Sequence, residues 1–258
     1  MIILIKLLVS MAFVVGLSLI AERVSPRVAG ILAGYPLGAA IALFFYGIEI
    51  GTGFAAESAV YTLSGLVATQ AFVYGYYRVS QSVNQFIIPA ASAGGLIFYF
   101  GVSWLLHFVP LNQLTAVLMP MMSIFCFVHL FRKIENVTIA RRITLTRRVI
   151  VFRAAAAAGI ILIITGTARW VGPVWAGLFS AFPVTLFPLM LIVHYTYDRK
   201  AVHTIIKNFP RGLGALITYC LSVSIVYPRL GVGVGTVVSF IAATTYLLIF
   251  SALMERRA

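Results

Sequence analysis

Long apolar runs, each about as long as a membrane crossing, alternate along the chain with short clusters of charge, glycine and proline. Taken in order, the runs predict nine helices at about 2–21, 28–50, 57–77, 86–108, 114–131, 149–168, 174–197, 205–227 and 232–254. Composition agrees with that pattern. With 62% hydrophobic and 10% charged residues, lipid has to be the solvent for much of the surface. The first run has no small-residue cleavage site before Glu22 and Arg23, and further spans follow, so the expectation is a retained helix and not a signal peptide.

Charge then orients the predicted spans. Sixteen of the nineteen Lys and Arg fall on the side that carries the carboxyl terminus, and only Lys6, Arg169 and Arg229 fall on the other. Cytoplasmic loops hold the excess of cations, which predicts a multi-pass protein of the plasma (inner) membrane with its amino terminus outside and carboxyl terminus inside. The formal charge of +13 is spread over loops and builds no nucleic-acid-binding domain. Cys126 and Cys220 each sit within an apolar run and read as small hydrophobes.

A repeat lies inside the pattern. Pro26, Ala29, Gly30 and Pro36 recur as Pro173, Ala176, Gly177 and Pro183, an offset of 147 (173 − 26). The same ungapped offset pairs Gly65 with Gly212, Leu66 with Leu213, Ala68 with Ala215, Ser92 with Ser239, Tyr99 with Tyr246 and Lys6 with Arg153. Helices one to four and six to nine are the copies, and helix five stands between them. An odd number of intervening spans turns the second copy over. The predicted fold is therefore an all-α membrane protein of nine transmembrane helices, two inverted four-helix repeats joined by a single linker helix. Its parts are 1–108 (first repeat), 109–148 (linker helix and basic segment) and 149–258 (second repeat).

The stretch 175–188, which carries Ala176-Gly177 and Pro183, resembles small four-helix inner-membrane proteins of the GlpM-like kind. The 4+1+4 plan also looks like the inverted repeats of the drug/metabolite transporter group. That group's coupling carboxylate lies mid-helix in its first span, and helices one and six here carry none. The resemblance therefore implies transport without implying proton-coupled export of cations.

Candidate chemistry is sparse. Pro36 removes the amide that would bond the Leu32 carbonyl, and Pro183 does the same at Phe179. At 1.5 Å per residue both lie about 12–13 Å inside their spans, close to the midplane, where inverted-repeat transporters bind substrate. Two readings fit. In the functional one, Gly34, Tyr35, Pro36 and Gln70 face Phe182, Pro183, Thr185 and Pro188 across a cavity; in the packing one, glycines let helices approach and prolines bend them around a solid core. Gln70 serves either as a substrate contact or as an interhelical hydrogen bond. Lys6 and Arg153 are close enough to their surfaces to snorkel, or supply one cation to each vestibule. Glu49 and Glu57 flank the outer loop after helix two, as solvated acids or as an outer cation site.

No paired intramembrane carboxylates, H-E-x-x-H, G-x-S-x-G or phosphate-binding glycine loop occurs, so neither enzymatic activity, a cofactor nor a metal is expected. The segment from Arg132 to Arg153 either sets topology or binds anionic headgroups of membrane lipids, or does both. The sequence-level function is a transporter or permease-like protein of unknown substrate. The alternatives are a lipid flippase or scramblase for an anionic amphiphile, or an accessory membrane subunit, with homo-oligomerisation left open.

Overall fold

The computed structural model describes residues 4–9, 11–12, 16, 26–137 and 147–255. Most of the first predicted helix and the central part of the basic segment lie outside these residues. Among the described residues all regular structure is helical. A helical stretch at 4–9 is followed by α1 (Pro26–Leu32), α2 (Leu37–Glu49), α3 (Thr52–Ser82), α4 (Ile87–His107) and α5 (Gln113–Leu130). A 3₁₀ turn (Phe131–Lys133) precedes α6 (Arg147–Ser180), α7 (Leu186–Thr196) and α8 (Arg199–Glu255).

Two of the long helices are each two helices joined end to end. Gly172 (φ 76°, ψ 172°) interrupts α6 immediately before Pro173, and Gly231 (φ 75°, ψ 175°) interrupts α8 just after the Pro228 turn. That backbone region is open to glycine and closed to almost everything else. At Gly231 the chain folds back on itself. Tyr227 bonds Thr236 at 2.7 Å, Ser239 bonds Ser222 at 2.9 Å, and Gly214 packs on Tyr246, an antiparallel set of contacts. At Gly172 the reversal brings Phe179 and Phe182 into one groove with Ile160 and Ile164, residues that a continuous helix would hold about 22 Å or more apart.

Five stretches are long and apolar enough to cross a membrane: Val28–Glu49, Ile87–His107, Gln113–Lys133, Ile150–Ser180 and Arg199–Phe250. The chain is thus compatible with a membrane-embedded, all-α protein. α3 is not among the five, and its place in the fold says why. It is the central helix, and Ser58, Thr62, Ser64, Thr69, Gln70 and Ser80 are all buried in protein. Thr62, Ser64, Thr69, Gln70 and Ser80 hydrogen-bond within the bundle, so α3 needs fewer apolar side chains than its neighbours. α4 and α5 form the opposite kind of surface. Phe100, Trp104, Leu105, Met122 and Phe125 stand exposed on them, as a lipid-facing rim requires.

Several predicted boundaries are corrected. The third helix runs over 31 residues instead of 57–77, because its flanking Ser, Thr and Gln residues resemble loop but bond locally along the helix. The eighth begins at Arg199, where Asp198 caps it by accepting from the Ala201 amide at 2.8 Å. The second and seventh helices are each broken in two at Pro36 and Pro183, where the sequence predicts the breaks.

Candidate functional site

The breaks have the same backbone. In the first, the Tyr35 amide donates to the Leu32 carbonyl (3.0 Å), the Leu37 amide to Tyr35 (2.8 Å), and the Ala40 amide to Pro36 (2.8 Å). In the second, Phe182 donates to Phe179 (3.0 Å), Val184 to Phe182 (2.7 Å), and Phe187 to Pro183 (2.8 Å). Each bond maps on its counterpart under the offset of 147 seen in the sequence. The carbonyls that the prolines deprive of a helical partner are therefore satisfied by a tightened turn, with no call on water.

Contacts between the helices are reciprocal as well. A Cβ added at Gly30 would meet the Ile205 carbonyl at 2.6 Å, and one at Gly177 would run into the carbonyl of Ser58, the residue corresponding to Ile205. Gly34 lies on the backbone of Gly212, while Gly65, the counterpart of Gly212, faces Ala181, the counterpart of Gly34, with 2.7 Å between a Cβ added there and the alanine methyl. Contacts that exchange partners in this way are what a twofold-related pair of surfaces produces. The two breaks adjoin at Gly38, whose added Cβ would sit 3.1 Å from Val184 Cβ.

Around this junction the side chains diverge. Gly34, Pro36, Pro183, Thr185 and Pro188 are buried. Tyr35 turns away from the second break, stacking on Phe240 (6.2 Å between centroids) and bonding Thr244 through its hydroxyl at 2.8 Å. Phe182 sits edge-on to Tyr99 (5.1 Å), Phe72 (5.9 Å) and Phe187 (6.0 Å). Gln70 lies on the far side of α3, donating to Ser123 of α5, and its carbonyl oxygen is buried with no hydrogen-bond partner among the described residues. Thr69, one residue earlier, donates to the Ala181 carbonyl at 2.5 Å and so braces the second break. The structure thus sets the two breaks side by side at Gly38 and Val184, seats Gly34 on Gly212 and Phe182 among aromatic rings, and leaves Tyr35 and Gln70 pointing to the flanks.

Beside Phe182 an apolar groove of about 290 Å³ opens sideways between α4 and α6, lined by Tyr99, Phe100, Ile163, Ile164 and Phe179 among others.

The predicted vestibule charges are rearranged. Lys6 is 4% exposed and does not snorkel. Its ammonium forms an ion pair with Glu49 (2.7 Å), donates to Thr165 Oγ1 (2.9 Å) and lies 5.4 Å from the Phe45 ring centre. Arg169 donates to the Glu49 carbonyl, closing the group. A cation with so little exposure needs a carboxylate to offset its lost hydration. Glu57 is exposed and takes no part in this group. The Arg153 side chain lies outside the described residues.

At the other end of the bundle, His194 and His203 are buried and hydrogen-bonded. Tyr76 and His194 Nδ1 are 2.7 Å apart, and Ser80 and His203 Nε2 are 2.8 Å apart. Tyr76 and Ser80 are four residues apart on one face of α3, a spacing that could have flagged a shared partner. Among the described residues no group of three or more His, Cys, Asp or Glu comes together as a metal site. Compared with known proteins, the chain matches no family model, no curated protein and no solved structure.

Proposed function

We propose that this chain is a membrane transporter or permease-like protein and not an enzyme. In this reading two inverted four-helix repeats, 1–108 and 149–258, are joined by α5, with nine crossings, the amino terminus outside and the carboxyl terminus in the cytoplasm. The fold-backs at Gly172 and Gly231 support the count, since each divides one long apolar helix into two. The observation that carries the reading is the pair of proline breaks with matching hydrogen bonds and exchanged contacts. Two equivalent, interrupted helices packed at one junction can exchange roles between the two faces, as alternating access requires. The substrate, of unassigned chemistry, engages Gly34, Pro36, Phe182, Pro183 and Thr185, with Tyr35, Gln70 and Pro188 at the margin.

The test is a thermal-stability screen of the purified full chain against lipids, organic anions and organic cations. A solute that raises Tm for the native chain and fails to do so for Pro36→Ala and Pro183→Ala, when both variants express normally, supports the assignment. Equal loss of expression and response would reduce the prolines to a folding role. A flat response across all solute classes would favour an accessory subunit.

The lateral apolar groove beside Phe182 favours a second reading, a lipid flippase or scramblase for an anionic amphiphile. Its acyl chains would lie in that groove, which Ile164→Trp would fill. Loss of fluorescent-lipid redistribution in vesicles on that substitution, with no effect on any solute response, would select this reading over the first.

A further inference from the structure

A polar cavity of about 180 Å³ lies at the histidine end of the bundle, apart from the paired breaks. It is lined by Tyr77 and Gln81 from the last turns of α3, by Lys133, Glu135 and their neighbours after the 3₁₀ turn, and by Lys200 and His203 from the first turns of α8. Three segments far apart in sequence therefore build it.

Its walls are fixed. Lys207 donates to the Ile134 carbonyl, the Val137 amide donates to Thr204 Oγ1 at 2.9 Å, and Asn208 donates to Asn136 Oδ1 at 3.0 Å. These bonds pin residues 134–137 along α8. On the facing wall, the Tyr77 ring meets His203 edge-on at 4.7 Å, and His203 is itself tied to Ser80 at 2.8 Å. The Tyr77 hydroxyl accepts from Gln81 Nε2 at 2.9 Å, so its own proton is left to donate. Among the described residues Lys6–Glu49 is the one ion pair, and Lys133 and Lys200 share the cavity with Glu135 without pairing to it. The cavity thus offers two uncompensated ammonium groups and a hydroxyl donor against a single acid.

We propose that this cavity binds a phosphate ester, its phosphate held by Lys133 and Lys200 with the Tyr77 hydroxyl donating to it. Ammonium groups bind phosphate as point charges, and the oxygens of a tetrahedral anion can take all three donors at once. Ile134 and Val137 give the wall an apolar part suited to the carbons of a glycerol. α3 extends about 46 Å, well beyond a hydrocarbon core of about 30 Å, which puts its last turns at headgroup depth. A lipid headgroup and a soluble phosphate ester share this chemistry. The site stands whether or not the chain transports.

The experiment uses the purified full chain in detergent. One arm titrates phosphatidylglycerol and phosphatidylcholine and counts retained lipid by native mass spectrometry; the other follows Tm with glycerol 3-phosphate and inorganic phosphate. Lys133→Gln and Lys200→Gln are both exposed substitutions, and Arg229→Gln removes the same charge at the opposite end. Each lysine removed should weaken binding about fivefold, and both together about thirtyfold. Arg229→Gln should leave it unchanged, and Glu135→Gln should strengthen it. Retention of phosphatidylglycerol that falls with the lysines assigns the site to a lipid. A Tm rise with glycerol 3-phosphate that disappears with them assigns it to a soluble ester. Equal weakening by Arg229→Gln would mean general charge attraction and overturn the proposal, as would binding that ignores both lysines.

Discussion

The two proline breaks share a backbone hydrogen-bond pattern and differ in the side chains around it. At the breaks, the same hydrogen bonds close the turns before Leu37 and before Val184. Tyr35 nevertheless reaches outward to a hydroxyl on the last helix, whereas its counterpart Phe182 is packed among aromatic rings. Glu49 holds a buried lysine, and its counterpart, Thr196, is exposed and holds nothing comparable. Close approach of helices constrains backbone and glycines in both halves alike, because a single added methyl is felt from either side. Side chains away from those contacts are free to specialise. One end of the bundle holds a buried ion pair, and the other holds buried histidines bonded to hydroxyls.

The largest effect should come from breaking the clamp that only one half has. Lys6→Met or Glu49→Leu leaves a buried charge without its partner and should cost about 3–5 kcal/mol. Unfolding of the purified chain in detergent would show it. Thr196→Leu in the other half should cost nothing measurable, and the double variant should be less damaged than either single one. A double variant as unstable as the singles would mean that the pair contributes through packing alone.

Glycine contacts should come next, and here the halves can be told apart. Gly212→Ala drives a methyl into the Ile31 carbonyl and should cost about 1–3 kcal/mol or more. Gly65→Ala is tight only against the methyl of Ala181, with the Leu178 backbone at 3.4 Å, so adding Ala181→Gly should restore most of the lost stability. Rescue of Gly212→Ala by an equivalent change is not available, because the opposing atoms of Ile31 belong to the backbone. Tm of the single and paired variants decides the point. If Ala181→Gly restored nothing, the exchanged contacts would not be the tight ones.

Smaller effects separate the two ends. Tyr76→Phe strands His194 Nδ1 in a buried site and should cost about 1–3 kcal/mol, read from the same unfolding experiment. Tyr35→Phe removes a bond at an exposed face and should cost about 0.6 kcal/mol. A reversed order would place the more demanding polar contact at the break instead of at the histidine end.

Much of this was legible in the chain, for identifiable reasons. Proline and glycine act locally, so Pro36 and Pro183 announced their breaks and Gly172 and Gly231 stood where loops were expected. The Lys6–Glu49 pair was half legible, since the predicted topology put both on the outer side, but it left Lys6 snorkelling and Glu49 in a loop. Direction of side chains was not. Whether Tyr35 faces Pro183 or Thr244 depends on where the fold-back at Gly231 sets the last helix, and no local signal carries that. The length of α3 was hidden for a related reason. Ser, Thr and Gln at its ends resemble a loop until the neighbouring helices that satisfy them are known. The cavity at Lys133 and Lys200 depends on side-chain bonds between the 134–137 segment and α8, which leave no periodicity to read.

The polarity of α3 has a consequence for biogenesis. Helices rich in hydrocarbon side chains can partition into the bilayer one at a time as they leave the ribosome, but a helix bearing Ser58, Thr62, Thr69 and Gln70 gains little by doing so alone. Besides carbonyls one turn back in the same helix, its hydroxyls bond Ser180 at 2.6 Å and the Ala181 carbonyl at 2.5 Å, partners made more than a hundred residues later. Until then the central helix is the least committed part of the nascent protein, and its final seating awaits the arrival of the second half.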